Sequence, residues 1–168
     1  MKTILVLTDL SKEARHAAFY ALNIAAKVGA GVHLYHPFTF KERHPLMFSW
    51  KLEEYFDVEN KKRSKLKLLT EQLEEGSRGN EFQPPITYTC RENQNDFAQK
   101  LKEIVQEKDV MMILISSNCM DFINNLLFSE RENALVGSSS CPVLFVPPYR
   151  LEKEMTKTVM AAHEDSIH

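Results

Sequence analysis

Five short apolar stretches, at residues 4–7, 32–36, 86–90, 110–115 and 143–146, are separated by longer segments with helical spacing. The strongest runs are continuous rather than alternating, as in strands buried on both faces. Between the first two, Ala14, Ala17, Ala18, Ala21, Leu22, Ala25 and Ala26 recur at helical intervals, which predicts a helix over 12–28 with a small apolar face. Small side chains let such a helix lie close to a sheet. Ser11 is placed to cap it, Asp9 and Glu13 add negative charge near its N-terminus, and Gly29-Ala30-Gly31 stops it.

Leu66, Leu69 and Leu73 predict a second helix over 61–75, ended by Gly76-Ser77-Arg78-Gly79-Asn80. Phe97, Leu101, Ile104 and Val105 mark a third, capped by Asn95 or Asp96, and 121–136 reads as a fourth, leaving through Gly137-Ser138-Ser139-Ser140. Strands alternating with helices indicate an α/β fold with a parallel sheet covered on both sides. Right-handed crossovers then favour a doubly wound, Rossmann-like sheet of five strands in the order 3-2-1-4-5. The expected domain is 1–148, followed by a polar tail at 149–168.

Composition narrows the function more than the fold. The chain has 168 residues and a net charge of -2, with 43% hydrophobic and 26% charged positions. That balance suits one globular domain and gives no electrostatic basis for nucleic-acid binding. No apolar run approaches the ~20 residues of a membrane span. Met1-Lys2-Thr3 leads straight into a strand with no leader pattern, so the expected location is cytoplasmic. Cys90, Cys119 and Cys141 are widely spaced and read as reduced thiols.

Three quoted segments carry a family resemblance. They are Ile4-Leu5-Val6-Leu7-Thr8-Asp9-Leu10-Ser11, the run from Val110 into Ser116-Ser117-Asn118, and Cys141-Pro142-Val143-Leu144-Phe145-Val146-Pro147-Pro148. Together they resemble the universal stress protein family, which implies the same fold over about 2–148. In that family the fourth strand ends in glycine, two residues, glycine, nine residues, glycine and then serine or threonine, and this loop holds the ATP phosphates. Counted without gaps, the matching positions are Ser116, Cys119, Ser129 and Glu130. None is glycine, and an acid replaces the hydroxyl.

Open parallel sheets bind ligands beyond the strand ends where the chain order reverses. Here that point lies between Leu7, Thr8 and Asp9 on one side and Ile115, Ser116 and Ser117 on the other. The resemblance implies nucleoside contacts at Leu7, Asp9, Pro37 and Ile115. Asp9 has an equal alternative as a helix cap. Bare glycine amides suit phosphate oxygens, whereas Cys119 and Ser129 interpose side chains. Glu130 beside a triphosphate costs on the order of a few kcal/mol, about a hundredfold or more in affinity. Arg131 alone compensates locally. ATP or AMP is therefore disfavoured as a cofactor, leaving no expected cofactor or a smaller, uncharged or differently placed ligand.

Other chemistry finds little support. His33 and His36, three apart on a strand, point to opposite faces and cannot share an ion. His36 near the cleft is read as a satisfied structural histidine. His44 also invites a metal reading, but His163 and His168 lack acidic or cysteine partners at ligand spacing, and no metal is expected. Cys119 sits where a helix start would stabilise a thiolate, but no His partner is identifiable. No nucleophile elbow or Walker loop occurs, which argues against an enzyme.

Phe38, Phe40, Phe48, Trp50, Tyr55 and Phe56 are expected to cover a sheet edge, with a partner contact or a lid as the alternative. Val143, Leu144, Phe145 and Val146 form an apolar edge strand that a homodimer would mask. The resemblance implies that same pairing. The expected function is a non-catalytic stress-response domain working through an unidentified protein partner or a non-ATP ligand. The alternatives are an ATP- or AMP-binding regulator with a rearranged loop, and a nucleotide-dependent transferase.

Overall fold

The computed structural model describes residues 1–38, 50–92, 97–116 and 141–148. In chain order these form β1 (Thr3–Leu7), α1 (Lys12–Val28), β2 (Gly31–Phe38), α2 (Trp50–Ser77), β3 (Ile86–Glu92), α3 (Phe97–Glu107), β4 (Val110–Ser116) and β5 (Val143–Val146). The strands make one five-stranded sheet in the order β3-β2-β1-β4-β5, with every pairing parallel. The doubly wound order expected from the sequence is the one observed. The helix expected over 121–136, its exit at 137–140, the caps Asn95 and Asp96, and the tail at 149–168 lie outside the described residues.

Side-chain alternation divides the sheet into two cores. Ile4, Val6, Val32, Leu34 and Leu114 point to one face and pack with the alanines of α1 and with Leu66, Leu69 and Leu73 of α2. Leu5, Leu7, Tyr35, Ile113 and Ile115 point to the other and pack with Phe97, Leu101 and Ile104 of α3. Both faces are apolar, which is why the central strands read as continuous runs. Ala17, Ala18, Ala21 and Ala25 are fully buried, so α1 meets the sheet with no side chain longer than a methyl at those contacts. Ser11 Oγ accepts from the Ala14 amide at 3.1 Å, and Gly29 ends the helix in the left-handed region.

α2 departs from the sequence expectation at both ends. It begins at Trp50, eleven residues before the predicted start at 61. Its first half carries little of the leucine periodicity that signals burial, and ion pairs at helical spacing such as Glu59 with Arg63 support it instead. Gly76 does not end the helix; it lies inside it. A methyl group there would come 3.0 Å from Cε1 of Phe19, so this glycine permits the close crossing of α1 and α2. Among the described residues, no helix is long and apolar enough to cross a membrane.

The alanine face makes a direct stability prediction. Ala21→Leu inserts bulk where helix and sheet touch and should lower unfolding stability by roughly 1–3 kcal/mol. Urea denaturation of the two proteins checks it; equal midpoints would show that the interface has slack.

Candidate functional site

The chain order reverses between β1 and β4, where Leu7 lies opposite Ile115. On the other side of β1, Leu7 lies opposite Tyr35 of β2, and the Thr8 amide donates to the Tyr35 carbonyl at 3.0 Å. The sheet thus gathers Leu7, Thr8, Asp9, His36, Pro37, Ile115 and Ser116 at one end. Ser117, Cys119, Ser129 and Glu130 lie outside the described residues.

The turn from β1 into α1 is braced by its own side chains. Thr8 Oγ1 accepts from the Leu10 amide at 3.0 Å, and Asp9 Oδ1 accepts from the Ser11 amide at 2.9 Å. Between them Leu10 adopts φ 67, a left-handed conformation that costs a leucine on the order of 1 kcal/mol or more. Asp9 is therefore a brace of the turn, while the helix cap is Ser11. Nothing in the sequence marked Leu10 for this conformation, since glycine or asparagine is the usual occupant.

His36 Nδ1 lies 2.7 Å from the Thr8 carbonyl oxygen. A carbonyl oxygen only accepts, so the proton is on Nδ1, and Nε2 is the acceptor nitrogen of a neutral ring. Burial lowers the His36 pKa below its ordinary value, the Thr8 bond opposes this, Lys62 and Lys65 of α2 lower it further, and Asp9 opposes them. That bond ties β2 to the turn after β1 across 28 positions of sequence. The influence of Lys62 and Lys65 was invisible in the sequence because it depends on where α2 crosses the sheet.

Ser116 ends β4 with its side chain 1% exposed, and Oγ has no hydrogen-bond partner among the described residues. An unpaired buried hydroxyl is costly, and such groups gather at functional positions. Cys90 and Cys141 are buried, and burial raises both thiol pKa values. Of the aromatic cluster, Phe38 is buried and packs against Tyr55 at 6.1 Å, whereas Phe56 is exposed. Phe40 and Phe48 lie outside the described residues, as does His44. Among the described residues no group of three His, Cys, Asp or Glu side chains converges on a metal position.

The family model described as the Universal stress protein family matches residues 1–147. The chain belongs to the universal stress protein family. Solved family members share its fold. A universal stress family protein from Burkholderia pseudomallei is 21% identical, with a TM-score of 0.56 over 86% of this chain and 95% of its own. The universal stress protein from Archaeoglobus fulgidus, in complex with dAMP, is 12% identical, with a TM-score of 0.57 over 89% and 98%. A family protein from Arabidopsis thaliana with AMP bound is 11% identical, with a TM-score of 0.53 over 89% and 93%. No curated protein matches this family member.

His33 lies on the opposite sheet face from His36, as the odd spacing requires. Its Nδ1 is 2.7 Å from Thr87 Oγ1, and burial, helped by Lys108, holds its pKa at about 4 rather than 6.5. The folded state therefore binds fewer protons than the unfolded chain between those values. Stability is full above pH 6.5 and falls as pH drops toward 4, by on the order of 3 kcal/mol from this group. Denaturation across that range should show the decline, and His33→Gln should flatten it. An unchanged slope would show that His33 is not the responsible group.

Proposed function

We propose that this family member is a non-catalytic stress-response module whose phosphate grip has been lost and which acts through protein contacts or a ligand other than ATP. One observation carries the reading. The five glycines of the chain are Gly29, Gly31, Gly76, Gly79 and Gly137, so none falls between 80 and 136, and counted without gaps from Ser116 no loop position is glycine. The family loop depends on backbone amides reaching phosphate oxygens with no side chain in the way. In this sequence Cys119, Ser129 and Glu130 stand at the remaining loop positions.

The other half of the cleft favours a second reading, in which AMP or a nucleoside binds without a phosphate loop. Asp9 and the wall of Leu7, Pro37 and Ile115 are retained at the strand ends. The buried Ser116 hydroxyl is a polar group in want of a partner at that place. Relatives of the same fold are seen with dAMP and AMP.

A thermal shift separates the two. A nucleotide present at about a hundred times its dissociation constant stabilises by about 2.7 kcal/mol, which raises the midpoint by roughly 5–10 °C at this size. The first reading predicts no shift with either Mg-ATP or AMP. A shift with AMP alone favours the second, and one with Mg-ATP contradicts the loss of the grip.

The edge strand supports a homodimer. Leu144 and Phe145 of β5 are 38% and 43% exposed, an apolar edge that pairing with a second copy would cover. Light scattering should give a dimer for the native protein and a monomer for Phe145→Arg. A native monomer at micromolar concentration would contradict this interface.

A further inference from the structure

The first turns of α1 and the middle of α2 enclose an open surface groove of about 240 Å³. Leu10, Lys12 and Arg15 form one wall, and Lys65, Leu68 and Leu69 form the other. The spacing 12, 15 on α1 and 65, 68, 69 on α2 puts each set on one helix face. Among the described residues no carboxylate lines this groove. Four basic residues elsewhere are paired: Lys2 with Asp109, Arg63 with Glu59, Lys67 with Glu71 and Lys100 with Glu103. Lys12, Arg15 and Lys65 have no ion-pair partner among the described residues, although the Arg15 guanidinium lies 5.7 Å from the Phe19 ring centroid. In a chain of net charge -2 this is a local surplus of positive charge. Between the cations lies an apolar strip in which Leu68 is 54% exposed.

We propose that this groove docks an acidic, amphipathic segment of a partner protein, with its carboxylates against Lys12, Arg15 and Lys65 and an apolar residue on Leu68 and Leu69. Charge complementarity and shape select this occupant. A small anion in so open a groove would keep most of its hydration, whereas enclosed ligand sites bury 70–90% of what they hold, on the order of three quarters or more. The site also extends in one direction. A second groove of about 540 Å³ follows α2, shares Lys65, and adds Lys61 and Lys62, with Asp57 the one carboxylate among its described lining residues. From Asp57 to Gln72 the two grooves follow about 22 Å of helix axis, the length of a short peptide helix. Helix-in-groove recognition uses this combination of apolar anchors and flanking charge.

The inference rests on the reading that the protein works through protein contacts and names the chemistry of the partner. The probe is a fluorescein-labelled peptide with Glu and Leu at helical spacing, read by fluorescence polarisation against the full chain at ~0.05 M and ~0.3 M salt. Binding should weaken at the higher salt and vanish when Gln replaces Glu in the peptide. Lys65→Glu and Arg15→Glu should each weaken it by about tenfold or more. Leu68→Ser should weaken it too. Lys27→Glu makes the same charge change at the far end of α1 and should leave binding intact, and circular dichroism confirms that each variant folds. Equal weakening by Lys27→Glu, binding that survives Lys65→Glu, no binding, or displacement by millimolar inorganic phosphate would each overturn the proposal. Its failure is distinguishable from failure of the functional reading. Nucleotide uptake in the thermal-shift assay with Lys65-dependent peptide binding intact would contradict only the lost phosphate grip.

Discussion

The pairing of β1 with β4 is the constraint on which the rest of the structure depends. Until β3 each crossover carries the chain one way across the sheet, and α1 and α2 stack on one face. The return to β4 sends the chain back past β1 and puts α3 on the other face. Leu7 opposite Ile115 marks the seam, and in open parallel sheets the strand ends at such a reversal are where ligands bind. The same pairing explains why the central strands are apolar on both sides, because each is sandwiched between helices.

Sequence patterning exposed most of this frame for physical reasons. Buried strands need uninterrupted apolar side chains, and a helix pressed close to a sheet needs alanine at the contact. β1 and α1 were legible for those reasons, down to the cap at Ser11 and the stop at Gly29. The N-terminal half of α2 was not, because a helix held by propensity and surface ion pairs writes no periodic apolar signal. Gly76 misled for a related reason. A glycine that ends a helix and one that lets two helices touch look alike until the neighbouring Phe19 is in place.

The strand-end cluster was legible in its position and not in its wiring. Topology alone selected Leu7, Thr8, Asp9, Ile115 and Ser116. The bond from His36 to the Thr8 carbonyl, the left-handed Leu10 and the proximity of Lys62 and Lys65 all depend on distant segments meeting. The neutral imidazole, the braced turn and the buried serine hydroxyl make a rigid polar wall. Residues 116–136 contain no glycine, and the contrast between this stretch and the polar wall is the basis of the proposed role.

Heat-released supernatant of the protein, purified without added nucleotide and analysed by mass spectrometry, tests that contrast most directly. The account predicts no adenosine triphosphate above background. Near-stoichiometric triphosphate carried through purification would contradict it.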